Sequence, residues 1–128
     1  MPTAKRFEDL EIWNDARKAA NMIYKLTQGL RDYGLRDQMR RCAVSVMANI
    51  AGGFARGGNA EFVQFLYIAK GSAAELKSHL YIAFDCGYIK IDEIEELTTG
   101  MEAIINKLGG FINYLKKSGY KGIKYKKE

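Results

Sequence analysis

The chain has 128 residues, which suits one domain, and its hydrophobic fraction of 48% is sufficient for an independent core. Its formal net charge is +5, but residues 116–128 hold six lysines and one glutamate, so residues 1–115 are neutral. This distribution argues against a uniformly basic nucleic-acid binder. Because no apolar run is long enough to span a bilayer and no signal sequence is evident, we expect a cytoplasmic protein without membrane association.

The predicted architecture is all-α. The only proline is Pro2, ahead of every predicted element, and this scarcity of turn residues disfavours sandwiches and barrels. Helices are predicted over residues 7–28, 35–55, 60–86 and 93–116. We predict an antiparallel up-down-up-down four-helix bundle over residues 1–116, because short turns fold each helix back on its neighbour. A flexible basic tail is predicted over residues 117–128.

Each predicted helix carries apolar residues at spacings of three and four, which is typical of an amphipathic helix. The stripes begin at Leu10, Met39, Phe62 and Ile94. Glycines are predicted to end the helices, at Gly29, Gly57 and Gly87. Asn59 and Asp92 are predicted to cap the third and fourth helices, and both cysteines, Cys42 and Cys86, are predicted to be buried thiols.

Three glycines lie inside the predicted helices: Gly52 and Gly53 in the second, and Gly71 in the third. An interior glycine costs up to about 1 kcal/mol relative to alanine. We expect close approach of these two helices to compensate, with a hinge or a ligand contact as the alternative. The glycine-rich stretch is not a phosphate-binding loop, since no strand precedes it and no Gly-Lys-Ser/Thr follows.

Several short motifs occur in one order along the first three helices. They are Phe7-x-Asp9-Leu10-x-x-Trp13, Gln38-x-x-Arg41, Ser45-x-x-x-Asn49-Ile50-Ala51-x-Gly53, Phe62, and Ala69-x-Gly71-Ser72-x-x-Glu75-Leu76. Together they resemble the bacterial four-helix bundle family of proteins encoded in intervening sequences of 23S rRNA genes. The resemblance covers about residues 7–115. Gly52 stands where the family pattern has glutamate, so no role that depends on that carboxylate is expected here.

The resemblance implies a function that periodicity does not show. Characterised relatives form ring-like homopentamers, members are associated with ribosomal RNA by gene location, and a related branch serves as accessory proteins of diversity-generating retroelements. We therefore expect a non-enzymatic, oligomeric, RNA-associated bundle. The alternative is an interaction scaffold, an accessory subunit that binds a partner protein such as a reverse transcriptase.

The polar and small residues of these motifs allow three interpretations. They are Gln38, Ser45, Asn49, Gly53, Gly71, Ser72 and Glu75. Such residues on a bundle form a buried hydrogen-bond network that fixes register, a subunit interface, or a ligand contact. His79 shares a helix face with Ser72 and Glu75, and we interpret it as structural, because a lone histidine is more often a satisfied structural group than a catalyst. No catalytic residue, metal site or cofactor is expected.

Two basic groups are candidates for nucleic-acid binding. The first is the C-terminal group Lys116, Lys117, Tyr120, Lys121, Lys124, Tyr125, Lys126 and Lys127. Its lysines can neutralise phosphates while its tyrosines stack on unpaired bases. The alternative is a solubilising tail that also complements the dipole of the fourth helix. The second group is Arg36 and Arg40, which lie four residues apart on one helix face.

Deleting residues 117–128 should sharply weaken binding to RNA, because five lysines and one glutamate there carry four of the five excess positive charges of the chain. The affinity of the full chain should fall steeply as salt rises, and that of the truncated chain less steeply. Fluorescence anisotropy with a labelled RNA over a salt series measures both. A truncated chain that binds as tightly as the full chain would remove the tail from the mechanism.

Overall fold

The computed structural model describes residues 4–118 and contains the four predicted helices in an antiparallel bundle. Residues 4–118 include no strand. A short 3₁₀ turn, Phe7–Asp9, comes first. The helices are α1 (Glu11–Leu26), α2 (Tyr33–Arg56), α3 (Asn59–Asp85) and α4 (Ile91–Ser118). The prediction of an all-α four-helix bundle is confirmed.

One continuous core joins the four helices and is built from the predicted apolar stripes. At its centre the fully buried ring of Phe62 on α3 meets Phe54 of α2 and Phe111 of α4 edge-on, with centroid distances of 6.0 and 5.5 Å. Edge-to-face rings are a favourable arrangement beyond the area that they bury. The helix α3 packs extensively on both α2 and α4, and α1 packs mainly on α2.

The contact between α1 and α4 is the sparsest of the bundle, and a lysine spans it. Lys107 Nζ of α4 lies 2.8 Å from Asp15 Oδ2 of α1 and also bonds Glu11. The hydrogen bonds to Asp15 and Glu11 raise the pKa of Lys107 above its ordinary value. Glu11 and Lys107 are exposed and Asp15 is half-buried, so these ion pairs are expected to contribute little to stability.

Each turn between helices contains a glycine in the left-handed region, Gly29, Gly57 or Gly87, with φ close to +80°. After α3, the amide of Gly87 donates to Phe84 O and that of Tyr88 donates to Ala83 O, both at 2.9 Å. These two bonds form a Schellman motif, which satisfies the last carbonyls of the helix. The predicted stop signals therefore lie at the three turns.

All four helix starts differ from the prediction, those of α1 and α2 for identifiable local reasons. The backbone at Leu10 is extended, so α1 begins at Glu11 and the preceding 7–9 segment is a separate 3₁₀ turn. The carboxylate of Asp32 accepts the amide of Leu35, and this cap starts α2 at Tyr33, two residues early.

The predicted caps of α3 and α4 are wrong. Asn59 lies inside α3, and its side-chain amide instead donates to Leu115 O of α4 at 2.7 Å. The helix α4 begins at Ile91, ahead of Asp92, and the amide before it, that of Lys90, donates to Glu93 Oε1 at 2.8 Å. Asn59 thus makes a long-range bond to α4 instead of capping α3, and the carboxylate of Glu93, not that of Asp92, accepts the Lys90 amide just before α4.

The two cysteines differ in environment. Cys42 is buried on α2, as predicted, whereas Cys86 at the end of α3 is exposed, so the prediction of a second buried thiol is wrong. The apolar stripe of α3 ends at Ala83 and Phe84, and Cys86 lies beyond the core where the chain turns. Burial, followed by the nearby Glu75 carboxylate, raises the pKa of the Cys42 thiol.

The interior glycines of α2 and α3 have different surroundings. A Cβ added at Gly53 would lie 2.5 Å from Phe65 Cβ and 2.9 Å from Phe62 Cδ1, so the helices approach closely there. At Gly52 the nearest atom, Phe65 Cε2, is 3.4 Å away, an ordinary contact. At Gly71 nothing lies within 4 Å. The expectation of close packing is therefore right for Gly53 and wrong for Gly71, which faces outward.

Gly53→Ala should lower the free energy of unfolding by about 1–3 kcal/mol, because the added methyl group overpacks the α2–α3 contact. Gly110→Ala is the matched control, since nothing lies within 4 Å of an added Cβ there, and it should leave stability unchanged or raise it by up to about 1 kcal/mol through helix propensity. Urea denaturation followed by circular dichroism measures both. Equal effects of the two substitutions would contradict the assigned crossing point.

Candidate functional site

A hydrogen-bonded group of three polar residues lies between α2 and α3, and we call it the polar seam. The hydroxyls of Ser45 and Ser72 are 2.8 Å apart across the two helices. Asn49 Nδ2 donates to Ser45 O at 2.8 Å and to Ser45 Oγ at 3.0 Å. Ser72 is buried and the other two are half-buried. The polar seam fixes the register of the two helices, because a slip of either would break the Ser45–Ser72 bond.

The remaining members of the motif take different positions. Gln38 and Glu75 are exposed and stand outside the polar seam. Gly53 is buried at the crossing point, whereas Gly71 is exposed. The motif therefore contains an inner part that holds α2 against α3 and an outer part that faces solvent in the isolated chain.

Three exposed residues lie next to the polar seam, Val44 of α2 and Ile68 and Gly71 of α3, and we call them the α2–α3 patch. Val44 and Gly71 are the immediate neighbours of Ser45 and Ser72, whose hydroxyls meet across the helices. Val44 is 41% exposed and Ile68 is 53% exposed. Sequence reasoning missed Val44 and Ile68, because the helical stripe marks only which residues are inside.

The candidate arginines Arg36 and Arg40 lie on tyrosine rings at the corner between α1 and α2. The Arg40 guanidinium is 4.6 Å from the ring centroid of Tyr24, and that of Arg36 is 4.7 Å from the ring centroid of Tyr33. We call these four residues the arginine–tyrosine ledge. In such a stack a cation–π attraction holds the guanidinium over the ring, so the position of its positive charge is fixed.

Hydrogen bonds fix both guanidinium groups. Arg40 Nε donates to the buried Thr27 hydroxyl at 2.9 Å, which joins the end of α1 to α2. Arg36 Nε donates to Asp37 Oδ1 at 3.0 Å. Asp37 and Arg41 are four residues apart on α2, a spacing at which a helical ion pair can form. The structure pairs Asp37 with its neighbour Arg36 instead, and Arg41 is exposed.

The ledge was not predicted from the sequence. Tyr33 and Arg36 are three residues apart on α2, a spacing at which side chains meet, but the predicted second helix begins at residue 35 and leaves Tyr33 out. Tyr24 and Arg40 belong to different helices, so only the packing of α1 on α2 brings them together.

The structure describes two residues of the C-terminal basic group. Lys116 and Lys117 are exposed in the last turn of α4, which continues two residues beyond the predicted end. Lys116 Nζ lies 3.4 Å from the hydroxyl of Tyr67 on α3. The other candidates lie outside residues 4–118: Tyr120, Lys121, Lys124, Tyr125, Lys126 and Lys127.

Residues 4–118 contain no group of three or more His, Cys, Asp or Glu side chains placed to hold a metal ion. His79 is half-buried on α3. None of the helices in this part of the chain is long and apolar enough to cross a membrane.

Comparison with known proteins matches the chain to a family and to a solved structure. The model of the family described as 23S rRNA-intervening sequence protein matches residues 8–110. A crystal structure at 1.70 Å resolution of a protein with unknown function from the S23 ribosomal protein family of Bacteroides thetaiotaomicron has a TM-score of 0.73. It is 22% identical, and the match covers 80% of this chain and 95% of that one, which shows a shared fold. No curated protein matches.

Ser72→Ala should lower the free energy of unfolding by about 1 kcal/mol, because it removes a hydrogen bond of the polar seam. Ser78→Ala, an exposed serine of the same helix, is the control and should change stability by less than about 0.5 kcal/mol. A double-mutant cycle with Ser45→Ala isolates the coupling between the two hydroxyls. A coupling of zero would show that the bond does not stabilise the bundle.

Proposed function

Because the chain belongs to the 23S rRNA-intervening sequence protein family, we propose that it is a non-catalytic, RNA-associated helical bundle that acts as a homo-oligomer. The family match over residues 8–110 is the observation that carries this proposal. It covers all of α1–α3 and most of α4, so the proposal concerns the whole bundle.

Two basic features support association with RNA. The sequence concentrates its excess charge in residues 116–128, whose six lysines suit a polyanion. The arginine–tyrosine ledge adds two guanidinium groups that are already held in place, so that less side-chain freedom is lost when a phosphate binds. Residues 1–115, with the ledge included, are electrically neutral, which favours a localised RNA contact over a uniformly basic one.

The non-catalytic part of the proposal rests on how the polar groups of the motif are used. Ser45, Asn49 and Ser72 bond one another across α2 and α3. A serine nucleophile needs a base within hydrogen-bond reach, and the partners of these hydroxyls are another hydroxyl and an amide. The polar seam therefore suits a structural role.

The α2–α3 patch supports the oligomer. Gly71 lies inside a helix, has a negative φ, and has no neighbour within 4 Å of an added Cβ, so the isolated chain does not require glycine there. A glycine on a helix surface permits close approach of a second backbone, and exposed Val44 and Ile68 would gain burial from it. A ring of identical chains, the homopentamer implied by the sequence resemblance, would supply that second helix.

The same patch favours the second candidate function, an accessory subunit for another protein such as a reverse transcriptase. In that case a helix of the partner would cover Val44 and Ile68. Copurification that survives nuclease treatment, with the purified chain alone monomeric, would favour this candidate over the homo-oligomer. Loss of every association on nuclease treatment would argue against it.

Light scattering at micromolar concentration should give a mass several times that of the 14.4 kDa chain. Gly71→Leu should reduce this mass, because the added side chain obstructs a close helix contact. Gly110→Leu is the matched control, since Gly110 is also exposed within a helix and has nothing within 4 Å of an added Cβ. A clean monomer for the unaltered chain would contradict the oligomer, and equal effects of both variants would contradict the α2–α3 patch as its interface.

A further inference from the structure

We propose that the arginine–tyrosine ledge binds unpaired RNA, with Tyr24 and Tyr33 stacking on bases while Arg36 and Arg40 contact phosphates. This inference rests on the proposed association with RNA and deepens it, because it names the form of RNA and adds two tyrosines to its recognition. The first observation is that both rings remain accessible. Tyr24 is 44% exposed and Tyr33 is 60% exposed although each ring has an arginine against it.

Tyr67, Tyr81 and Tyr88 are exposed as well, and what distinguishes Tyr24 and Tyr33 is the arginine guanidinium over each ring. Apolar rings gain from burial, and both of these rings lie outside the core. An unpaired base offers a flat face that stacks on a tyrosine, whereas the bases of a duplex are already stacked on one another. The rings therefore select for single strands, loops or bulges.

The charge around the rings suits a phosphate backbone. Residues 24–40 hold four basic side chains, Lys25, Arg31, Arg36 and Arg40, and two acidic ones, Asp32 and Asp37, for a local net charge of +2. Both acidic groups already have partners. Asp32 caps α2 and accepts the Tyr88 hydroxyl, and Asp37 accepts Arg36 Nε.

The arginines are placed before any ligand arrives. The bonds of Arg40 to Thr27 and of Arg36 to Asp37 engage one edge of each guanidinium, which leaves other N–H groups to donate to a phosphate. Arg36 and Arg40 are one turn apart on α2, so their backbone positions are separated by about 6 Å along the helix axis. Arg36 and Arg40, each beside a tyrosine ring, form a row of groups along which an extended RNA strand can bind, and we call this row the track.

A third arginine lies on α1. The Arg17 guanidinium is 5.7 Å from the ring centroid of Trp13, which is buried in the core and offers no free face to a base. Arg17 precedes Tyr24 by seven residues, or two helical turns, so it lies on the same side of α1, about 10 Å along the helix axis. Arg17 therefore extends the positive charge of the track along α1 without adding a stacking ring.

The test measures anisotropy of a labelled polyuridine of about 12 nucleotides, within the range of single-strand site sizes, and of an RNA duplex of equal length. The full chain is used throughout, with circular dichroism as the check on folding. Tyr33→Leu removes the most exposed ring of the ledge. Tyr81→Leu, a half-exposed tyrosine on α3, is its control. Arg36→Gln is compared with Arg41→Gln, and Arg40 is left intact because its bond to Thr27 joins two helices.

Tyr33→Leu should weaken polyuridine binding by about fivefold or more, the loss expected for one base stack, and leave its salt dependence unchanged. Arg36→Gln should weaken binding and also reduce the slope of log affinity against log salt by about 0.7, the value for one phosphate contact on a single strand. Both control variants should bind within about twofold of the unaltered chain. Duplex binding should be insensitive to Tyr33→Leu, because a duplex offers no free base face.

The outcomes separate this inference from the proposed function. If the unaltered chain binds neither RNA, the proposed association with RNA fails and this inference fails with it. If the chain binds RNA but Tyr33→Leu behaves like Tyr81→Leu, or the loss is equal for polyuridine and duplex, the inference is overturned while association with RNA stands. Loss confined to the ledge variants and to polyuridine supports it.

Discussion

The close approach of α2 and α3 at Gly53 is the constraint on which the rest of the bundle depends. Phe65 and Phe62 lie directly over the glycine, at distances that leave no room for a Cβ. Phe62 then reaches both Phe54 and Phe111, so the same contact that brings two helices together also positions the core of a third. A side chain at residue 53 would force α2 and α3 apart. It would thereby displace Phe62, which contacts both Phe54 and Phe111.

The crossing point and the polar seam act on one interface in different ways. Gly53 sets how near the helices lie, whereas the Ser45–Ser72 hydrogen bond sets their register along the axis. Packing alone tolerates small shifts, but a buried hydroxyl that loses its partner is costly, so the bond selects one alignment. That alignment also brings Val44 and Gly71 to the same level of the bundle, because each directly precedes one of the two bonded serines.

The arginine–tyrosine ledge shows how one side chain serves the fold and a surface together. Arg40 joins the end of α1 to α2 through Thr27, and the same bond presents its guanidinium beside Tyr24. Because the arginine is ordered by the fold, a ligand that binds there loses little additional side-chain freedom. The ledge and the α2–α3 patch both involve α2, which makes α2 the helix that connects the core to both candidate surfaces.

The sequence by itself determined the four helices, their stripes and the glycines of the three turns, because periodicity and φ > 0 are local properties. Its residues also carried the family resemblance. Only the tertiary structure decided that Gly53 packs and Gly71 does not, since identical glycines differ in what lies across from them. It likewise decided that Asn59 bonds Leu115 and that Arg40 meets Tyr24. Those contacts join residues distant in the chain, and local pattern does not encode which helix faces they share.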